Sequence, residues 1–453
     1  MKNLRLYTLI VLILLGVNCC AGNRDKTAGK NGLSESKKIS DDSLLTLVQY
    51  RTFQYFWDGA EPKSGMARER FHVDGIYPEN DMNVVTTGGS GFGLMAILVG
   101  IERGFITRDE ALNRYSRIVD FLKRADRFHG AWPHWLYGET GKVKPFSKKD
   151  DGADIVETAY LIQGLLAVRQ YYINGSDQEK VLASRIDTLW KEVEWNWFTK
   201  GGESVIYWHW SPDYGWQMNF PIQGYNECLI LYVLAASSPT FPVSTIVYQK
   251  GWARDGAIKG EHEKYGFLLS LNHNGSAEYG GPLFWSHYSY LGLDPRHLKD
   301  SYADYWHENL NQTLINWQWC VRNPDRYAGY GKDCWGLTAS YSINGYSAHC
   351  PGEGNDLGVI SPTAALSAFP YTPEQSMDAL KHFYYVLGSK IWGIYGFYDA
   401  FSEQNKWYPE RYLAIDQGPA IIMIENYRSG LLWDLFMSSP EIKNGLKKLG
   451  FSY

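Results

Sequence analysis

Two carboxylates stand three residues apart at Asp154 and Glu157, inside the stretch KKDDGADIVETAYLIQGLL that runs over residues 148–166. A loop gives way to a helical pattern there, so both side chains point from one helix start toward the same space. A pair of acids so placed can move protons in hydrolysis, one giving and one taking. The same spacing also builds a cap, in which Asp154 accepts backbone N–H groups and Glu157 reaches back. Spacing alone leaves both readings open. Asp150 and Asp151, just upstream, raise the local density of acid. Where such groups converge a carboxyl pKa climbs, and where they do not they are ordinary solvated loop charges.

Glu227, in PIQGYNECLILYVLAA, is a third acid. It is expected at the start of a helix that is apolar all round, where burial would raise its pKa as a general acid for glycoside cleavage requires. The competing role is a structural Glu favoured by the helix dipole. Asp416, in YLAIDQGPAII, reads as a cap or as a pocket-lining group. The aromatic residues make up 15% of the chain and gather in loop clusters: AWPHW with Trp132 and Trp135, YWHW with Trp208 and Trp210, and YGW ending at Trp216. Flat rings of this kind stack on the apolar faces of pyranoses while neighbouring polar groups take up the hydroxyls. Trp132, Trp135, Trp208, Trp210 and Asp416 are therefore the candidate substrate-binding residues.

Other chemistries find little support. There is no H-E-x-x-H, H-x-H, P-loop or G-x-S-x-G, and GGSGFG at 88–93 puts Phe92 where a nucleophile elbow needs its last glycine. The eleven histidines lack ligand-like spacing, so neither a metal nor a cofactor is expected, and hydrolysis would rest on carboxylates. A formal net charge of −5 lacks the basic footprint of a nucleic-acid binder.

The elements that must position these residues can also be read. Residues 1–20, MKNLRLYTLIVLILLGVNCC, form a lipoprotein-type signal peptide with Cys20 as the expected lipid anchor, which places the chain in the bacterial cell envelope. Residues 21–40 are polar and suit a flexible tether. From residue 41 to 453 no second linker and no internal repeat appears, so a single domain, expected to be monomeric, is predicted. Of the later cysteines, Cys320, Cys334 and Cys350 lie close enough in sequence for one disulfide. Helical periodicity predicts helices over 41–57, 107–125, 153–172, 177–195, 222–236, 302–321, 373–387 and 418–437. Those at 107 and 177 are amphipathic, whereas CLILYVLAA and AIIMI are apolar on every side. An inner ring of apolar helices within an amphipathic ring is the pattern of an all-α toroid, and a plain helical repeat stack would produce the same contrast.

Three stretches, DGADIVETAYLIQGLL, GYNE at 224–227 and RYLAIDQGPAIIMIENYRSGLLWDLFM at 411–437, resemble the glycoamylase-like domain. That family includes the β-1,2-glucanases of glycoside hydrolase family 144. The resemblance runs from about residue 41 to the end. It implies an (α/α)6 barrel, hydrolysis of β-1,2-glucan and sophorooligosaccharides, and inversion at the anomeric carbon. It also implies that Asp154, Glu157 and Glu227 are catalytic, with Glu227 or Glu157 as the acid. One alternative is a glycan-binding surface lipoprotein without catalysis; another, suggested by the name of the domain alone, is a glucoamylase-type hydrolase of another glucan linkage. A uronate-cleaving lyase on the same architecture fits less well, because the clusters are acidic and aromatic.

Overall fold

The computed structural model describes residues 39–453. The signal peptide, the Cys20 anchor and nearly all of the tether lie outside the described residues. Asp41–Tyr453 forms one compact unit.

The described residues contain thirteen α-helices: α1 Asp41–Trp57, α2 Thr87–Glu102, α3 Arg108–Arg124, α4 Ile155–Tyr172, α5 Asp177–Lys191, α6 Leu229–Ser237, α7 Tyr305–Arg322, α8 Pro362–Ser367, α9 Pro373–Tyr385, α10 Gly388–Ile391, α11 Ala414–Arg428, α12 Leu431–Met437 and α13 Pro440–Leu449. Strands form only two- and three-stranded antiparallel sheets among the connecting loops. Among the described residues no helix is long and apolar enough to cross a membrane.

The amphipathic helices begin where the sequence says they should. Thr107 and Ser176 each accept from the third residue of the helix that follows, Glu110 and Glu179 reach back, and both capping boxes are complete. A cap of this type stabilises by about 1 kcal/mol. One face of α3 then buries Ala111, Leu112, Tyr115, Ile118 and Leu122. The apolar helices behave differently. All nine residues of α6 are buried, as are all but the last two of α2. Fully burying a Leu, Ile or Val side chain contributes roughly 1.5–3 kcal/mol, so these segments are stable only with neighbours on every side. Helix α2 packs between α4 and α11, α4 also meets α6, and α8 lies against α11; α1, α3, α5 and α13 cover this set from outside.

Two glycines set the closest of these crossings. A side-chain carbon on Gly91 would fall 2.2 Å from the Tyr160 carbonyl oxygen, and one on Gly164 would fall 2.1 Å from that of Gly91. Helices α2 and α4 therefore meet backbone to backbone, and the glycine-rich start of α2 is brought beside the first turn of α4.

Three expectations need correction. The segment expected as a helix over 222–236 is helical only from Leu229, because Gly224 adopts a φ of 76° and the Asn226 side chain accepts the Cys228 N–H in a turn. The one expected over 418–437 is two helices, parted where Gly430 takes a φ of 76°, and the first of them starts at Ala414. The suggested disulfide does not form: Cys228, Cys320, Cys334 and Cys350 are free and buried.

Candidate active site

Helix α4 starts at Ile155 because Asp154 is extended, with a φ of −118°, and its carboxylate caps the helix. Oδ1 accepts the N–H groups of Val156 and Glu157 at 3.0 and 2.9 Å. Its other oxygen accepts from His134 Nδ1 at 3.0 Å. Asp154 thus caps and faces a cation at once. His209, opposite Asp154 in the two-residue strand pair Ala153–Asp154 and His209–Trp210, brings its Nε2 to 3.8 Å from the same oxygen and 3.3 Å from Asp150 Oδ2.

Glu157, one turn into α4, accepts the Gly88 N–H at 2.7 Å from the start of α2. A side chain on Gly88 would collide with this carboxylate at 2.6 Å. Only glycine lets the amide come so near. The second Glu157 oxygen lies 4.0 Å from His134 Nε2, and the imidazole itself is stacked on Phe146 at 4.2 Å. Glu227 sits two residues ahead of α6, where its backbone carbonyl accepts from the hydroxyls of Ser289 and Tyr160.

Glu157, Glu227, His134 and the ion pair Glu69–Arg70 line one cavity of about 320 Å³. Its walls are aromatic: Trp135, Phe146, Trp208, Tyr288, Tyr341 and Tyr346. Low-dielectric walls and neighbouring acids spread the proton affinities apart. Burial works against charge on His134, but Glu157, Asp154 and Asp150 outweigh it and bring the imidazole up to about 9. Burial also pushes at Asp154, yet the hydrogen bond and charge of His134, with His209 and the Glu157 N–H, hold it below the usual carboxylate range. Burial raises Glu157 to about 7, Asp154 adding to the rise and His134 opposing it. Burial raises Glu227 to about 7 with no nearby cation to offset it. Burial and the Asp154 charge bring Asp150 to about 7 as well. At neutral pH the site therefore holds a fixed Asp154 carboxylate against an imidazolium, with Glu157 and Glu227 poised to gain or lose a proton.

Residues 219–440 match the family model Glycoamylase, described as "Putative glucoamylase". The chain is similar to an endo-β-1,2-glucanase from Chitinophaga pinensis, whose structure holds sophorotriose and glucose: 67% identity, TM-score 0.91, covering 92% of this chain and 99% of that one. It is similar to a β-1,2-glucanase structure from Parabacteroides distasonis at 44% identity and TM-score 0.86, over 91% of this chain and 60% of that one. An exo β-1,2-glucooligosaccharide sophorohydrolase (non-reducing end) of P. distasonis is 46% identical over 426 residues, 91% of this chain; the chain spans 58% of that relative's length. The chain belongs to the glycoamylase-like family.

Within this glycoamylase-like chain the sequence-derived site residues fall in different places. Trp135 and Trp208 line the cavity. Trp132 does not: it is wholly buried, its Nε1 donates to the Leu122 carbonyl at 3.1 Å, and Arg127 lies over its ring. Trp210 also lies elsewhere, packed on Phe128 and His129. Asp416 neither caps α11 nor reaches the cavity wall. It is buried behind it, beside Asp399, and the Tyr288 hydroxyl donates to it at 3.4 Å. Burial raises Asp399 to about 7 and Asp416 well above its ordinary value, the charge of Asp399 adding to the latter shift.

Sequence reasoning missed His134, although it lies between the two tryptophans of AWPHW. It also missed Arg70, Tyr341 and Tyr346, for which no local pattern exists. Among the described residues His134, Asp150 and Asp154 offer ligand atoms within 4.8 Å of one another. The imidazolium that already occupies Asp154 opposes a cation there.

Proposed function

We propose that this chain is a β-1,2-glucan hydrolase that inverts the anomeric carbon. The observation that carries the reading is the pair of carboxyls poised near 7, Glu157 and Glu227, on one aromatic-walled cavity in a chain similar to named β-1,2-glucanases. Glu227, raised by burial and without a cation beside it, is the proton donor to the glycosidic oxygen. Glu157, whose ionised form is favoured by the Gly88 N–H and the His134 imidazolium, takes a proton from water. The water oxygen bonds to C1 as the C1–O bond breaks, the leaving hydroxyl keeps the Glu227 proton, and the configuration at C1 inverts. Trp135, Trp208 and the tyrosines supply flat faces for the sugar rings.

Incubation with linear β-1,2-, β-1,3-, β-1,4- and α-1,4-glucans, followed by NMR of the fresh products, tests this. Release of α-anomeric oligosaccharides from the β-1,2 polymer alone is expected. Glu227→Gln should lower kcat by about 10²–10⁴ while leaving binding largely intact. Initial β-anomeric product, or a fully active Glu227→Gln variant, would overturn the mechanism.

The finer architecture belongs to the same proposal. The packing of α6, α4, α2, α11 and α8 in succession, each almost wholly buried, with amphipathic helices outside, supports an (α/α)6 toroid. An experimental structure with fewer than six inner helices would refute it.

A further inference from the structure

The aromatic motif ending at Trp216 plays no part in the cavity just described. It lines a separate groove of about 740 Å³ together with Trp197, Glu194, Asn196, Thr199 and Lys200. None of these residues lines the catalytic cavity.

Trp197 is 38% exposed, whereas the other tryptophans are buried or half-buried. The indole is also held in place. One of its faces is stacked on His129 with centroids 3.7 Å apart and planes 13° from parallel, and His129 is in turn fixed by Glu194 Oε2, 3.0 Å from its Nδ1. Trp216 stands beside Trp197 with centroids 6.3 Å apart and planes inclined by 34°, itself braced by Phe198 and Tyr207. The two indoles thus form a rigid, shallow aromatic platform. Polar groups frame it: Glu194 and Lys200 bring opposite charges, and Lys200 Nζ donates to Asn219 Oδ1 at 2.9 Å. Gly201 and Gly202 adopt φ values of 88° and 99°, and nothing lies within 4 Å of where their side chains would be, so this edge is open.

A groove with a flat aromatic floor, a balanced polar rim and an open edge suits a long, neutral, hydroxyl-rich chain better than an ion or a compact apolar ligand. Its position agrees. Trp210 touches His129 and Trp197, and the neighbouring residue in its strand, His209, faces Asp150 and Asp154.

We propose that the Trp197–Trp216 groove is a second carbohydrate-binding site, which holds a segment of neutral β-glucan chain near the catalytic cavity but outside it. The identity of the glucan rests on the hydrolase reading above; the site itself rests on the platform. Binding there keeps a polymer close to the cavity between cleavages through effective concentration and contributes nothing to a substrate too short to span both sites.

The test separates the two. Retardation of the full-length Glu227→Gln chain in gels containing linear β-1,2-glucan reads binding without consuming the polymer. Adding Trp197→Ala should weaken retention about five- to tenfold, and Trp197→Phe, which keeps a flat ring, should restore most of it. In the otherwise wild-type chain Trp197→Ala should raise KM for the polymer by a similar factor and leave kcat/KM for a sophorooligosaccharide of three or four glucose units unchanged. Retention unaffected by Trp197→Ala, equal loss in the Ala and Phe variants, or a change of oligomeric state with retention intact would each overturn the groove as a sugar site. Wild-type chain that is retained through Trp197 but cleaves no glucan would leave the groove standing and remove the hydrolase reading.

Discussion

His134 is the residue on which the charge balance of the cavity turns. It holds Asp154 ionised by direct contact and opposes, through space, the rise in the Glu157 pKa. Replacing it with Gln keeps a polar group beside Asp154 but removes the positive charge. Glu157 should then climb further, because the opposing influence of His134 is lost while burial and Asp154 remain. The acidic limb of the kcat/KM profile, below which Glu157 is protonated and cannot accept a proton from water, is expected to move up by about one pH unit in His134→Gln, with roughly tenfold less activity at pH 6. A limb that stays in place would take His134 out of this balance. Since the Glu157 shift depends on the charges of His134 and Asp154, such limbs belong to the group and not to one residue.

At the scale of elements the deciding feature is how near α2 comes to α4. Gly91→Ala places a carbon 2.2 Å from the Tyr160 carbonyl oxygen, with backbone and not a pliant side chain in the way. The helices must part, and the Gly88 N–H leaves Glu157 with them. Destabilisation of about 3 kcal/mol or more is expected, read as a lower urea midpoint with the slope unchanged, together with loss of activity. A midpoint equal to wild type would show that the crossing has slack.

The same crossing explains what was legible in advance. Helices α1, α3 and α5, the last two with complete capping boxes, could be read because local signals and burial agree. Helix α2 could not: TGGSGFG scores against a helix, and its glycines are there for a tertiary contact that no local pattern announces. The acids of the site were legible because D-x-x-E and GYNE are contiguous in sequence. Arg70, His134 and Tyr346 were not, since they reach the cavity only when distant loops meet. Trp132 and Trp135 are three residues apart and point to core and cavity respectively, a distinction that composition cannot make.

Across the whole molecule the perturbed acids set the pH at which the fold is most secure. Asp150, Glu157, Glu227 and Asp399 lie near 7 and Asp416 well above its ordinary value, all raised chiefly by burial. Each is protonated in the folded chain at a pH where the unfolded chain has already released its proton, so stability falls as pH rises from about 4 to 7. His134, raised to about 9, contributes stability that is complete below its unfolded value near 6.5 and is lost as pH climbs through 9. Carboxylates with lowered pKa act in the opposite sense. Asp154 is lowered by His134, and Glu441, which burial would raise, is brought to about 2 by Arg169 and Ser439; their contributions are present above about 4 and vanish on strong acidification. The Tm is therefore expected to peak near pH 5 and to decline toward pH 8. Glu227→Gln should flatten that decline by an amount on the order of 1–3 kcal/mol, measured by thermal denaturation across pH. A Tm that rises from pH 5 to 8 would contradict this balance.

The four free cysteines among the described residues carry a consequence of a different kind. Cys228, Cys320, Cys334 and Cys350 are all buried, and burial pushes every one of the thiols above its ordinary value. A thiol that is both hidden and protonated reacts with alkylating reagents only when the chain opens around it. Cys228 lies in one hydrophobic core cluster and Cys320 and Cys334 together in another, so the order in which they become modified dates the opening of each cluster. The molecule thus carries its own set of clocks for local unfolding, none of them locked in a disulfide.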